Sequence, residues 1–476
     1  MKTVIWWLRR DLRLQDNQAL MAALEQAEQV IPLFILDPKL INSPYASKQR
    51  TTFMLGGLKE LDQALQERGS KLILKNGDPQ DVLFNLIDQH GVETIFAEAD
   101  FSPYASKRDE KLSRKLPLHW VGGPSVLPPG TVLNPQGNPY TIFTLFSKAW
   151  KAHPLSQIGF IGGIPEHIAS PGGIVSEAWP DIDPAQKQSL FPPGENKAHD
   201  RLRQFIFGDE AKIYTYNVGR NRLDWEGTSG LSPYLRFGML SPRIVVQAAR
   251  QAVRSAADPT AAASAETWLN ELIWREFFIH ILYHFPRVRQ ENFRLTAIPW
   301  QDDPRSFEAW CQGLTGYPVV DAAMRQLNAT GWMHNRARMI TASFLSKDLL
   351  LDWRLGERWF MNHLLDGDPA SNNGGWQWTA GTGTDAAPYF RIFNPISQGQ
   401  KHDPEGIYIR RWIPELQLVP LEYLHAPWMM PSELQRAVKC IIGKDYPAPI
   451  VDHHTARERA LIAYGKAGKR KQSASG

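Results

Sequence analysis

The stretch DGDPASNNGGWQW, residues 366 to 378, sets Asp366, Asp368, the paired amides Asn372 and Asn373 and two glycines directly before Trp376 and Trp378. A surface turn has use for Gly, Asn and Asp but gains nothing from two indoles. As core the segment is too polar, because every buried polar side chain needs a partner. A loop that holds a bound polar ring system against the two tryptophans satisfies both halves.

Other segments offer chemistry that spacing alone leaves open. In GTSGLSP (227–233), Thr228, Ser229, Gly230 and Ser232 supply hydroxyls and exposed backbone N–H groups, either an anion nest suited to a diphosphate or an ordinary turn and helix cap. In ELIWREFF, Glu271, Trp274, Arg275 and Phe278 fall at i, i+3, i+4 and i+7 on one face of an otherwise apolar helix. An acid and a base there form a buried Glu–Arg pair or line a pocket. In GWMHNRARMI, Asn335, Arg338 and Met339 share a face after the break at Gly331, and that face serves a ligand or simply meets water. His280 and His284 stand at i, i+4, but no Glu follows the first, so they read as core or interface histidines and no metal site is expected. GTGTDA (381–386) fits a dinucleotide pattern without the strand before it or the amphipathic helix after it, and is set aside.

The elements that must position these residues follow from periodicity. Residues 1 to about 120 alternate the apolar runs VIWWL, VIPLFIL, KLILK and TIFAEA with helical patterns such as Phe53, Leu58, Leu61 and Leu65, which predicts a parallel α/β sheet. Proline and glycine crowd residues 121 to 198, a long surface connection with one helix near TIFTLFSKAW. Beyond 198 the pattern is almost wholly helical: SPRIVVQAARQAV opens with Ser241 as N-cap and Pro242 at the first helical position, and AETWLNELIWREFFIHILYHF is apolar around most of its circumference and must be buried. The expected domains are 1–128 (α/β), 129–197 (linker), 198–464 (helical) and 465–476, a short basic disordered tail.

With 476 residues, 43% hydrophobic and 21% charged, the chain reads as an ordinary globular protein, apart from its 17 tryptophans. Cys311 and Cys440 form no CxxC pair, VIWWL is too short for a signal peptide, and no apolar run reaches the length of a membrane span, so a cytoplasmic bacterial protein with no membrane partner is expected. The net charge of +4 permits nucleic-acid binding without requiring it.

Taken together, RRDLRLQDN, GTSGLSPYLRFG, ELIWREFF, TGYPVVDAAMRQL, TGWMHNRARM, KDLLLDWRLGE, DGDPASNNGGWQW and YFRIFNP resemble the photolyase and cryptochrome family, in the order the family uses and as far as about residue 412. The likeness is nearest to class I photolyases that repair cyclobutane pyrimidine dimers. It implies a Rossmann-like α/β antenna domain, a long linker and a helical domain that binds FAD, acting as a monomer on DNA that contains pyrimidine dimers. It further implies that Tyr216, the cradle Thr228, Ser229, Gly230, Leu231 and Ser232, and Arg275, Arg338, Asp366, Asp368 and Asn372 hold FAD. A neutral amide at Asn372 tolerates an anionic reduced flavin that a carboxylate would repel.

By the same resemblance Glu271 and Asn335 hydrogen-bond the dimer, with Glu271 protonated, and Trp376, Trp353 and Trp300 relay electrons to the flavin. Arg220, Arg336, Arg391 and Gln398 contact DNA, while Trp274, Met339 and Trp378 line the pocket for a flipped-out dimer. The resemblance also implies a second, antenna chromophore. EADFSPYASKRD has Ala105 where a folate binder carries Glu, so a deazaflavin held by Arg9, Arg10, Asp100, Arg108 and Arg236 is favoured over folate or a second flavin. A photoreceptor cryptochrome, a (6-4) photolyase and a plain nucleotide-binding protein are the rivals; Asn335 and Asn372 are the residues that favour dimer repair.

Overall fold

A computed structural model describes residues 2–154, 162–180, 190–208, 210–294, 297–388 and 391–474, with side chains as far as residue 465. Parts of the expected linker and Tyr389 and Phe390 of YFRIFNP lie outside the described residues. The chain divides into two compact units, one made of Met1–Thr215, Ser229–Pro286 and Leu365–Ala370, the other of Tyr216–Thr228, Arg287–Leu364 and Ser371–Gly476.

In the first unit, strands β1 (Thr3–Leu8), β2 (Gln29–Leu36), β3 (Ile73–Asn76), β4 (Thr94–Ala97) and β5 (Leu118–Trp120) form one sheet in the order β3-β2-β1-β4-β5. Every pairing is parallel, with Val4 opposite Val30 and Thr94. All six residues of β1 are buried, as a strand covered on both faces requires. The helices between strands start at side-chain caps, Asn17 accepting from the Leu20 N–H and Asp78 from the Gln80 N–H ahead of Pro79. Strand order reverses around β1, so the carboxyl ends of β1 and β4 flank a switch point, the usual ligand crevice of open α/β sheets. Arg9 and Arg10 follow β1, and Glu98 and Asp100 follow β4.

The expected linker runs along this sheet. Ala169 carbonyl accepts from Val30 N–H, and the Glu177 N–H donates to the Leu74 carbonyl. The expected helix in it spans Phe143–Ala152. Helix Pro242–Arg254 begins at Ser241, which accepts from the Arg243 N–H, and helix Pro259–His284 is buried along most of its length.

The second unit is helical, with a core that includes Trp310, Phe344, Trp353, Phe360 and Trp376. Helix Asn335–Ser343 runs into a π-helical turn, Phe344–Asp348, that buries Lys347 and Asp348.

Four expectations change. The segment read as a ligand loop is mostly helix, Pro369–Ala380, because Asp368 accepts from the Ala370 N–H and Pro369 fixes the first turn, and packing of Trp376 outweighs the poor propensity of Asn and Gly. Strand β5 went unseen in LPLHW because three residues carry no alternation. Helix His453–Ala474 continues through the expected tail, where Ala, Lys, Arg and Gln all favour helix. The units interleave along the chain instead of following the consecutive divisions 1–128, 129–197, 198–464 and 465–476. The reason is long-range: buried Glu276, deep in helix Pro259–His284, accepts from the Val126 and Leu127 N–H groups.

Candidate functional site

In the first unit, the segment Asp366–Asp368 is gripped by arginines. Arg10 donates to Asp368 Oδ2 at 2.6 Å and to Asp100 Oδ1 at 3.4 Å, and Arg236 Nε donates to the Gly367 carbonyl at 2.7 Å. Burial opposes ionisation of Asp100, yet Arg10, Arg9 and Arg236 hold its carboxyl down to about 2. A narrow cleft, with room for little more than a water molecule, lies beside Arg10, Asp100 and Asp368.

Arg275 donates to the Pro124 carbonyl at 2.5 Å and the Leu235 carbonyl at 3.3 Å, and its ion-pair neighbour is Glu276 at 3.8 Å. The Glu–Arg pairing anticipated on this helix is thus with Glu276, one residue on, which the i, i+4 pattern could not indicate. Glu271 and Trp274 are half-buried on the same helix, Trp274 stacked on Phe143 with centroids 3.7 Å apart. Desolvation pulls Arg236 down to about 9, Arg50 down to about 10 and Arg275 down as well, although Asp366 and Asp368 pull Arg50 the other way. Carboxylates therefore return less than burial takes from these guanidiniums, and Arg236 Nη1 is buried without a hydrogen bond. A further anion, such as a diphosphate or an anionic flavin, would offset that desolvation. Next in sequence to that role is the turn Ser229–Ser232, where Gly230 takes φ +61 and Arg201 Nε donates to the Ser229 carbonyl; Leu231 is buried. A side chain at Gly230 would strike the Arg201 guanidinium.

The five antenna candidates separate. Arg10, Asp100 and Arg236 serve the Asp366–Asp368 segment. Arg9 lies between the rings of Trp7 (5.1 Å) and Trp120 (4.7 Å) and pairs with Asp109, which also takes Arg108 at 2.8 Å. Arg108 covers Trp7 and Tyr104, whose hydroxyl donates to Asp37. These are half-buried structural pairs, neither surface salt bridges nor one ring of five around a chromophore.

In the second unit, Asn372 Nδ2 donates to the Glu357 carbonyl at 2.9 Å, which fixes the amide, and Glu357 itself pairs with Arg289. Asn373 Nδ2 and Trp376 Nε1 are buried with no hydrogen-bond partner, and a Cβ at Gly375 would meet open space. Buried polar groups without partners are rare, so these point to a polar ligand. Trp376 packs edge-on against Trp310 (6.0 Å) and Phe360 (5.0 Å), and its ring fills the space a side chain at Gly356 would need. Trp353 is fully buried, with Nε1 donating to Asn292, and partly buried Trp300 meets Tyr464 edge-on at 6.2 Å.

Asn335 opens its helix behind the cap His334, and Arg338 Nε donates to the Met333 carbonyl. Arg336 donates to Asn221 Oδ1 at 2.6 Å and lies 3.8 Å from the Met339 sulfur. Arg220 covers buried Tyr216 at 5.5 Å, Arg391 lies 5.9 Å from Trp378, and Gln398 sits on helix Pro395–His402. Thr228 ends the segment Tyr216–Thr228.

Sequence reasoning missed Arg50, Arg201 and Glu276, and gave Asn373 no role of its own. Arg50 had a signal: it shares the buried face of helix Lys48–Gln66 with Phe53, Gly57 and Leu61, a charge in an apolar phase.

Comparison with known proteins decides the family. The profile described as DNA photolyase matches residues 4–162, and that described as the FAD binding domain of DNA photolyase matches residues 268–466. The chain belongs to the DNA photolyase family.

It is 40% identical to the deoxyribodipyrimidine photo-lyase of Escherichia coli (99% of this chain, 100% of that one) and 38% identical to that of Agrobacterium fabrum (98% of each). Among solved structures, a class III photolyase from Agrobacterium tumefaciens is 38% identical with TM-score 0.89 over 98% of both chains. A Synechocystis cryptochrome is 31% identical with TM-score 0.88, covering 97% of this chain and 99% of its own. An archaeal photolyase from Sulfolobus tokodaii with two FAD molecules is 31% identical with TM-score 0.77, covering 98% and 100%. Of the groups found above, Arg275 and the unpartnered amide Asn373 fall within the family's FAD-binding domain. If Arg10 orients Asp368 for that cofactor, Arg10→Met weakens FAD binding about tenfold, the value of one charge-assisted hydrogen bond. Equilibrium dialysis with FAD checks this, and unchanged retention means the Asp366–Asp368 segment holds its own shape.

Proposed function

We infer that this protein repairs cyclobutane pyrimidine dimers in DNA with light and FAD. The observation that carries the reading is identity of 36–41% along the whole chain to relatives named deoxyribodipyrimidine photo-lyase. The buried arginines of the first unit supply positive charge for a bound anion. Bound in reduced form, FAD would supply a light-driven loan of one electron to the dimer, with no net redox change.

The chain's own residues supply placement. Ser229 to Ser232 with Thr228 cradle the diphosphate, with Tyr216, Arg338, Asp366 and Asp368 as further contacts. Asn372, its amide fixed by Glu357, presents a neutral group to the flavin. Arg275 balances cofactor charge. Arg220, Arg336, Arg391 and Gln398 hold the strand, Trp274, Met339 and Trp378 receive the dimer, and Glu271 and Asn335 hydrogen-bond its carbonyls. A second chromophore is part of this reading; with Arg10 and Arg236 engaged by the Asp366–Asp368 segment, its contacts would fall to Arg9, Arg108 and the cleft beside Asp100. The protein acts as a cytoplasmic monomer in this proposal. Among the described residues no helix is long and apolar enough to cross a membrane.

The test is exposure of the FAD-reconstituted protein and a dimer-containing oligonucleotide to blue light. Restored thymines support the reading; intact dimers with FAD bound turn it toward the cryptochrome alternative, which shares the fold. Glu271→Ala is expected to keep FAD yet lower the repair yield per absorbed photon about tenfold, as loss of one hydrogen bond to a charged group would. An unchanged yield removes Glu271 from the chemistry.

A further inference from the structure

The connection between Tyr216–Gly219 and the Ser229 turn carries an aromatic that the family motifs do not account for. Trp225 is 49% exposed, the most open indole among the described residues' exposed large apolar side chains. Single exposed apolar side chains are common and need no function. This one differs because it is held. The Arg222 guanidinium lies 4.3 Å from its ring centroid, and Arg222 is itself locked by two hydrogen bonds to Asp224, at 2.8 and 2.5 Å, whose side chain is fully covered. A bidentate pair that orders an arginine against an exposed ring restricts both side chains without covering the indole.

The loop is pinned just as firmly. The Leu223 N–H donates to the His402 carbonyl at 2.9 Å, His402 Nδ1 bonds the Asn221 carbonyl at 2.7 Å, and Asn221 Oδ1 accepts from Arg336 at 2.6 Å. Leu223 anchors in the core of the second unit. Trp225 is thereby tied, within one unit, to the start of the helix that carries Arg336, to the end of the helix that carries Gln398, and to Arg220. The local charges are Arg220, Arg336 and Lys401 against Glu226, Asp403 and Glu405, with Arg222 and Asp224 paired. A preorganised flat ring beside cations is the chemistry that binds single-stranded bases, since every base has a face to stack.

We propose that Trp225 is a stacking platform for a DNA base near the lesion, held ready by the Arg222–Asp224 pair. The proposal rests on the dimer-repair reading. A base beside an extruded dimer has lost a stacking neighbour, and an indole at the edge of the strand-binding surface replaces it. Arg222 acts as a positioning residue, because its charge is already matched by Asp224.

The experiment uses the full-length, FAD-loaded protein in the dark with duplexes carrying one thymine dimer and 2-aminopurine at successive positions around it, on either strand. Wild type is expected to quench 2-aminopurine at one position through the indole. Trp225→Ala should lose that quenching and bind the dimer duplex about tenfold more weakly, within the range for one base–aromatic stack. Trp225→Phe should keep most of the affinity, and Arg222→Gln should fall between, with flavin absorbance unchanged in all three. Equal affinity and an unchanged quenching profile in Trp225→Ala overturn the proposal. Failure of wild type itself to prefer the dimer duplex overturns the dimer-repair reading and this inference with it.

Discussion

Trp376→Phe is expected to cut photoreduction of oxidised FAD at least about tenfold, since replacing indole by a ring much harder to oxidise adds more than about 1.4 kcal/mol to the transfer barrier. Trp376 is 3% exposed, lies against Trp310 and Phe360, and its Nε1 has no hydrogen bond to lose. The substitution therefore leaves a partly filled site and orphans no polar atom of another residue, and the fold should persist with a modest loss of packing. Dimer repair by chemically reduced protein should be retained, because the relay we propose would serve activation alone. Flash photolysis with the indole radical as readout separates the two. Photoreduction at the wild-type rate would remove Trp376 as first donor and direct attention to its ring neighbour Trp310.

Lys347→Met is expected to stabilise the protein near pH 6, by about 2–3 kcal/mol. Lys347 is 1% exposed, and desolvation pulls its ammonium from 10.5 down to about 7. Its contacts are the Ala380 carbonyl at 3.3 Å and the face of Tyr464 at 3.5 Å. The ring returns about 2 kcal/mol of the several that burial of a charge takes. Methionine leaves no orphan, because the Ala380 carbonyl keeps the Tyr464 hydroxyl at 2.8 Å. The sign follows from the lowered pKa: above pH 7 the unfolded chain holds a proton at Lys347 that the folded chain has released, so wild-type stability rises with pH there. The gap between variant and wild type should thus be widest below pH 7 and close at about 1.4 kcal/mol per pH unit above it. Urea unfolding at pH 6 and pH 9 checks this. A destabilised variant, or a gap independent of pH, would mean that the ammonium is stabilised in place.

The route from sequence to site was uneven, for physical reasons. Four strands were visible as apolar runs because a doubly covered strand has no polar face to confuse the pattern, whereas the three residues of β5 are too few to show any pattern. Ser241, Pro242 and the apolar helix after Asp258 were legible because caps and periodicity are local. The Asp366–Trp378 segment was recognised as unusual from composition but misread as loop, because the packing that makes it helical comes from Phe360, Trp310 and Gly356, residues outside the segment. Arg10 and Arg236 were assigned to an antenna ligand by resemblance; that they hold Asp368 and the Gly367 carbonyl, more than a hundred residues away, no local pattern could show.

By itself the sequence determined the α/β and helical regions, the family through eight ordered motifs, and with it the FAD and dimer-repair reading, because those motifs are short, local and dense in unusual residues. Tertiary structure alone decided which charges meet. Arg275 answers Glu276, Glu276 in turn caps the backbone at Val126 and Leu127, and desolvation lowers the guanidiniums of buried Arg50 and half-buried Arg236 and Arg275 more than nearby carboxylates raise them. Desolvation sets that balance, and desolvation depends on what folds over a side chain, which no local pattern of residues encodes.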